Sequence, residues 1–225
     1  MPIIVLAVLL AATLFFLTIS RLAVEAVERH HHGQRTDFFK HYPVYENDIV
    51  FLGDSITDGG CWEELFPGVA LKNRGINADT TLGVLKRLDD TIINKPRAIF
   101  ILIGTNDLPW FEYRNDEDIL TTYSEILDRI KTQSPSTKVF VQSILPRGRS
   151  YAKRIQGLNR HLQALAKKFG YTFIDLYPTF AGPQGELKKE LTNDNLHLMA
   201  AGYVIWVEIL KPYVTEILTQ TKSVE

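Results

Sequence analysis

Residues Ala98–Ile103 form an unbroken apolar run that stops at Gly104-Thr105-Asn106-Asp107. A strand that is apolar at every position has no face to give to water. It belongs inside a parallel sheet covered by helices on both sides. The chain from Asp48 onward repeats this pattern. Apolar runs at Ile49–Leu52, Val69–Lys72, Val139–Ile144 and Tyr171–Leu176 predict four more strands. Segments between them carry helical spacing. Thr80 opens one, with Leu82, Leu85 and Leu88 on its apolar side. Asp116 to Lys131 is amphipathic, Ala152–Phe169 stops at Gly170, and a last helix covers about Ala200 to Leu218, where Pro212 is expected to bend or break it. A Pro- and Gly-rich loop spans Tyr177 to Asn193. Strands alternating with helices predict an α/β fold, a three-layer α/β/α sandwich around a five-stranded parallel sheet with right-handed crossovers.

Polar groups gather where strands end. Gly53-Asp54-Ser55 follows the first strand, Asn73-Arg74-Gly75 the second, and Gly104-Thr105-Asn106-Asp107 the third. Asp194-Asn195-Leu196-His197 lies between the last loop and the last helix. In an open α/β sheet the carboxyl ends of the strands converge on one edge, where ligands bind. Ser55 at such an end is a candidate nucleophile, although Ser and Asp also cap helices routinely. Asp194 and His197 are three residues apart, so the carboxylate reaches the near imidazole nitrogen and leaves the far one for the serine proton. Acyl transfer also needs donors for a developing oxyanion. Ser55 and Gly75 offer backbone N–H groups and Asn106 offers a side-chain amide. Singly, Gly75 reads as a turn glycine and Asn106 as an Asx-turn; jointly with the serine they favour catalysis.

Other motifs are missing. Thr57 stands where a Gly-x-Ser-x-Gly elbow has its second glycine. No Gly-x-Gly-x-x-Gly follows the first strand and no Gly-Lys-Ser/Thr occurs, so dinucleotide and P-loop readings fail. With a net charge of −1, nothing favours a nucleic-acid partner. A single cysteine, Cys61, excludes an intrachain disulfide and reads as a packed thiol.

The four strand-end blocks resemble, in order, those of the SGNH (GDSL) hydrolases, from about Asp48 to the final helix. Ile56 replaces the leucine of the family's name-giving motif, apolar for apolar. The resemblance implies a flavodoxin-like SGNH fold, with Ser55 as nucleophile and Asp194 and His197 completing the triad. Ser55, Gly75 and Asn106 would form the oxyanion hole, and no metal or other cofactor is implied. The run from Asn73 to Thr81 is similar to the branch holding platelet-activating-factor acetylhydrolase catalytic subunits and carbohydrate acetylesterases. That branch implies removal of a short acyl group, acetyl above all, from a carbohydrate or similar alcohol. Lysophospholipase or thioesterase action on longer chains is the alternative. A non-catalytic binding module is a weaker third reading, since every triad member is present. Trp110 and Tyr177 are candidate substrate contacts, while Arg147 and Arg149 read as solvated loop charges.

The remaining segments precede the domain. The chain has 225 residues, enough for one domain of the usual ~100–200 residues plus an extra piece. Residues 1–26 begin with twenty positions free of charge, enough for a membrane anchor or signal peptide, with Val24-Glu25-Ala26 as a cleavage candidate. Residues 27–46 read as a polar linker whose His30, His31 and His32 are solvated rather than metal-bound, and 47–225 as the hydrolase domain. The chain is thus expected to be membrane-anchored or exported. Arg21, Arg29 and Arg35 favour a cytoplasmic domain by the positive-inside tendency, whereas an esterase with a leader is expected outside the cytoplasm.

Overall fold

The computed structural model describes residues 2–108 and 114–219. In chain order its elements are α1 (Pro2–His41), β1 (Ile49–Gly53), α2 (Ser55–Asp58), α3 (Trp62–Leu65), β2 (Leu71–Gly75), α4 (Thr81–Lys86), α5 (Asp89–Ile92), β3 (Ala98–Leu102), α6 (Asp116–Gln133), β4 (Lys138–Gln142), α7 (Ala152–Phe169), β5 (Thr172–Ile174), α8 (Tyr177–Phe180) and α9 (Ala200–Thr219). The five strands form one parallel sheet in the order β2-β1-β3-β4-β5. The sequence-predicted fold class holds.

Side chains alternate across the sheet, so each face has its own core. On one face Val50, Leu52, Ile99, Ile101, Val139 and Val141 pack under α4, α5, α6 and α7. On the other, Phe51, Phe100 and Phe140 lie under α3 and α9. Their rings stack across three strands, with centroids 5.1 Å apart for Phe51–Phe100 and 4.4 Å for Phe100–Phe140. Each such buried ring contributes roughly 1.5–3 kcal/mol by area alone. These rings tie the middle of the sheet together beneath the strand ends.

Several local expectations shift. The second strand begins at Leu71 rather than Val69 and runs through Asn73 and Arg74 to Gly75, paired residue for residue with β1. Arg74 is charged but buried: its Nη2 donates to the Tyr42 carbonyl at 2.6 Å, which explains why a polar stretch is a strand. Helix α9 continues unbroken through Pro212. Trp206, Leu210, Val214 and Ile217 anchor it to the sheet on both sides of the proline, so packing outweighs the one lost backbone bond. Cys61 is exposed rather than packed, at the N-cap of α3.

The largest difference lies before β1. Residues 27–41 are no loose linker but the second half of one 40-residue helix. Its apolar first half is bare, with Phe15 and Phe16 70% and 69% exposed. Its second half docks. Phe39 is buried, and the Arg74 guanidinium sits 4.5 Å from its ring centroid. Arg35 reaches Asp58 at 3.2 Å, and His32 Nε2 lies 3.6 Å from Asp79 Oδ1. Most polar side chains of this stretch, His30 among them, remain exposed; Phe39, Arg35 and His32 make the contacts with the domain.

Candidate active site

β1 ends at Gly53, and the chain turns at once into the single-turn helix α2. Asp54 caps that turn: its Oδ1 accepts from the Ile56 N–H at 3.0 Å. Ser55 therefore sits at the first helical position, at the carboxyl end of a central strand. Its Oγ lies 2.9 Å from His197 Nε2, across 142 residues of sequence. His197 Nδ1 is 2.6 Å from Asp194 Oδ2. A carboxylate only accepts, so Nδ1 carries the ring proton and Nε2 is left to accept from the serine hydroxyl.

The histidine loop organises itself. Asp194 Oδ1 accepts the backbone N–H groups of His197 at 2.8 Å and Leu196 at 2.9 Å. Thr192 Oγ1 accepts the N–H of Asn195 at 3.0 Å. Asn195 takes a left-handed φ of 64°, which asparagine tolerates. Partial burial alone would raise the Asp194 carboxyl. The hydrogen bonds from the His197 ring and from the His197 and Leu196 backbones outweigh it and hold the group down at about 2. Asp194 thus stays ionised beside the imidazole, whose positive form it would stabilise.

Asn106 lies in the short 3₁₀ turn Thr105–Asp107 after β3. Gly104 before it has φ 125°, a backbone that side chains disfavour. The Asn106 amide donates one hydrogen to the Asp79 carbonyl at 2.9 Å, which leaves its second hydrogen free for a ligand. Asp107 is wholly buried and accepts from the Thr81 N–H, the Thr81 hydroxyl and Arg114 Nη1 at 2.9, 2.6 and 3.2 Å. Arg147 Nη1 donates to the Thr105 carbonyl at 3.1 Å and its guanidinium stacks on Tyr151. It is a half-buried brace for this turn, not the solvated charge its sequence setting predicts.

Gly75 departs from expectation. Its N–H donates to Asn73 Oδ1 at 2.9 Å, so that donor is already engaged. A Cβ there would overlap the backbone of Asp58, so the glycine is needed for close packing of α2 on β2. Three residues on, Ala78 holds a left-handed φ of 59°. Its N–H has no hydrogen-bond partner among the described residues.

The remaining candidates divide. Tyr177 is buried, donates its hydroxyl to the Gly185 carbonyl at 2.8 Å, and belongs to the core; it does not face a substrate here. Trp110 lies outside the described residues. Sequence reasoning missed the buried Arg87–Asp79 pair. Arg87 Nε meets Asp79 Oδ2 at 2.7 Å, while Nη2 donates to the Gly53 carbonyl at 3.1 Å and the Arg74 carbonyl at 2.9 Å. One guanidinium thus ties the ends of β1 and β2 together. Asp79 precedes α4 and Arg87 follows it, so only the fold reveals the pairing. Among the described residues, no group of three or more His, Cys, Asp or Glu side chains is placed to hold a metal ion.

Comparison with known proteins places the chain in a family. Residues 51–205 match the GDSL-like Lipase/Acylhydrolase family. Platelet-activating factor acetylhydrolase IB subunit alpha2 of Rattus norvegicus is 28% identical over 186 residues, covering 78% of this chain and 80% of its own. A platelet-activating-factor-like structure from Streptococcus pneumonia superposes with a TM-score of 0.79 at 28% identity, over 88% of this chain and 99% of that one. A GDSL-like lipase from Bacteroides thetaiotaomicron gives a TM-score of 0.69 at 26% identity, over 76% and 89%. The chain belongs to the GDSL-like lipase/acylhydrolase family and is a carboxylic ester hydrolase.

Proposed function

We propose that Ser55, His197 and Asp194 form a catalytic triad that removes a short acyl group, acetyl above all, from a carbohydrate or similar alcohol. The observation that carries this reading is the unbroken chain from Ser55 Oγ through both imidazole nitrogens to Asp194, at 2.9 and 2.6 Å. His197 takes the hydroxyl proton as Ser55 Oγ bonds to the acyl carbon. The same proton passes to the alcohol oxygen as the ester bond breaks. Water then attacks the acyl-serine with His197 as base, releasing the carboxylic acid and restoring the serine.

The negative oxygen formed in each step needs fixed donors. The Ser55 N–H, at the start of α2, and the free amide hydrogen of Asn106 supply two. The Gly75 N–H, expected as the third, donates to Asn73 Oδ1 and must leave that bond to take part. The acetyl preference rests on the acetylhydrolase relatives at 28% identity.

Hydrolysis of p-nitrophenyl esters from acetate to palmitate by the wild type and Ser55→Ala tests the reading. Highest activity on acetate, lost by about 10⁴-fold or more in the variant, is the expected result. A preference for long chains would replace acetyl by lipid acyl groups. Equal activity of wild type and variant would remove Ser55 from the chemistry.

A further inference from the structure

The contacts of α1 fix the direction in which its apolar half leaves the domain. Read from residue 32 onward, they descend the sheet. His32 meets Asp79 and Arg35 meets Asp58, both just beyond the carboxyl ends of β2 and β1. Phe39 packs on Arg74 within β2. The Val44 carbonyl accepts from Asn94, and the chain then enters the amino end of β1 at Ile49. α1 therefore runs antiparallel to β1. Followed toward its start, it rises past the strand ends on the face where Ser55 meets His197. Arg35 grips the same one-turn helix that carries Ser55, and His32 grips the residue whose carbonyl orients Asn106.

The first part of α1 matches a bilayer. Residues 2–20 carry no charge, and 19 helical residues span roughly 28 Å against a hydrocarbon core of about 30 Å. Arg21 is the first charge and pairs with Glu25 at 2.7 Å; Glu28 and Arg29 follow. From Arg21 to His32 the helix rises roughly 16 Å. The headgroup layer takes up about 5–7 Å of that height. The catalytic edge thus faces the bilayer from about 10 Å beyond the headgroups.

We propose that α1 anchors the enzyme with its active site turned toward its own membrane, and that the substrate is an acyl ester on the saccharide headgroup of a lipid in that membrane. The inference rests on the esterase reading above and adds where the ester stands. A glycerol ester lies at the hydrocarbon boundary, too deep to meet Ser55. An ester on a sugar projecting from the surface reaches the required height. Met199, 50% exposed and two residues past His197, gives the rim an apolar side chain.

The test uses the full chain in phosphatidylcholine vesicles, with a diacylglycerol carrying a linear oligosaccharide acetylated on its outermost sugar as the probe. With enzyme and probe in the same vesicles, acetate release should exceed that from separate vesicles by at least 10-fold. p-Nitrophenyl acetate should be hydrolysed equally in both arrangements. A second variant inserts eleven helix-forming residues between Ala26 and Val27. Three added turns lift the domain by roughly 16 Å with its rotation nearly kept. It should lose at least 5-fold on the same-vesicle probe and keep its p-nitrophenyl acetate rate. Equal rates in same and separate vesicles, or an insertion without effect, overturn the proposal while leaving the esterase reading intact. So does hydrolysis of 1-alkyl-2-acetyl-glycerophosphocholine in the same vesicles at a rate equal to or above that of the sugar ester. An intact mass lacking residues 1–26 after expression also overturns it. Loss of p-nitrophenyl acetate hydrolysis in the wild type would instead sink the esterase reading, and this proposal with it.

Discussion

The strand-end side of the site and the histidine loop reach the same precision by opposite routes. Ser55 and Asn106 are set by groups inside the protein: Asp54 and Asp107 are wholly buried, and the Arg87–Asp79 pair is nearly so. Asp194 and His197 have side chains 46% and 45% exposed and are set by bonds within six residues of loop. The carboxyl groups record the contrast. Burial pushes Asp54 up from 3.8 to about 7, against the pull of the Ile56 N–H, and Asp79 and Asp107 add to the rise. Donated hydrogen bonds hold Asp194 at about 2 despite its partial burial. Errors on the strand-end side should therefore disturb the fold, while errors in the loop should disturb only the chemistry.

That division can be broken by mutation, beginning with the largest effect. His197→Ala should lower kcat by about 10⁴-fold or more and leave the melting temperature within a degree or two. A loss of stability comparable to a core substitution would show that the loop also supports the fold. Asp194→Asn should cost roughly 10⁴-fold in kcat, because the amide favours the wrong imidazole tautomer. Arg87→Ala should cost about 3–5 kcal/mol of stability by taking the guanidinium from the buried Asp79 and from the Gly53 and Arg74 carbonyls; urea unfolding measures this. An unchanged midpoint would mean that the strand ends hold without the guanidinium. Asn106→Ala should lower kcat by roughly 10²–10³-fold with little change in KM, and an unchanged kcat would remove it from the oxyanion site.

The last test lies in the pH dependence of stability. Folded Asp54 keeps its proton up to about pH 7, whereas the unfolded residue loses it near 3.8. Its contribution is complete below 3.8 and is lost as pH rises through about 7. Asp194 has the reverse sign: its contribution is present above 3.8 and is lost as pH falls through about 2. Asp54→Asn should therefore flatten a fall in stability between about pH 4 and 7, read from melts across that range. Parallel profiles for the variant and wild type would refute an Asp54 protonated in the fold.

The same contrast explains what could be read from the sequence. Ser55, Asn106 and His197 stand beside abrupt ends of apolar runs or within one short loop, so local pattern finds them. Helix Ala152–Phe169 is legible to the residue because Gly170 closes it with a φ of 77°. Arg87 acts through the strand-end carbonyls of Gly53 and Arg74, and Asp107 through Thr81 of α4 and Arg114, and no local spacing announces that. Gly75 misleads because turn, donor and packing glycines look alike in sequence; only the overlap with Asp58 distinguishes them. The docked half of α1 is hidden for a similar reason, since its arginine and histidine partners lie up to 47 residues away, as in His32 and Asp79.

The strand order also sets a timetable. β1 lies between β2 and β3, so the serine's strand finds both neighbours by residue 102, while its histidine arrives only at residue 197. During synthesis α1 emerges first, and His197, the proposed proton acceptor, long after Ser55. On the proposed mechanism, a ribosome stalled before His197, or a protease removing the chain from that point, leaves a domain whose Ser55 has no base. Esterase activity is therefore a report on completed synthesis as well as on folding.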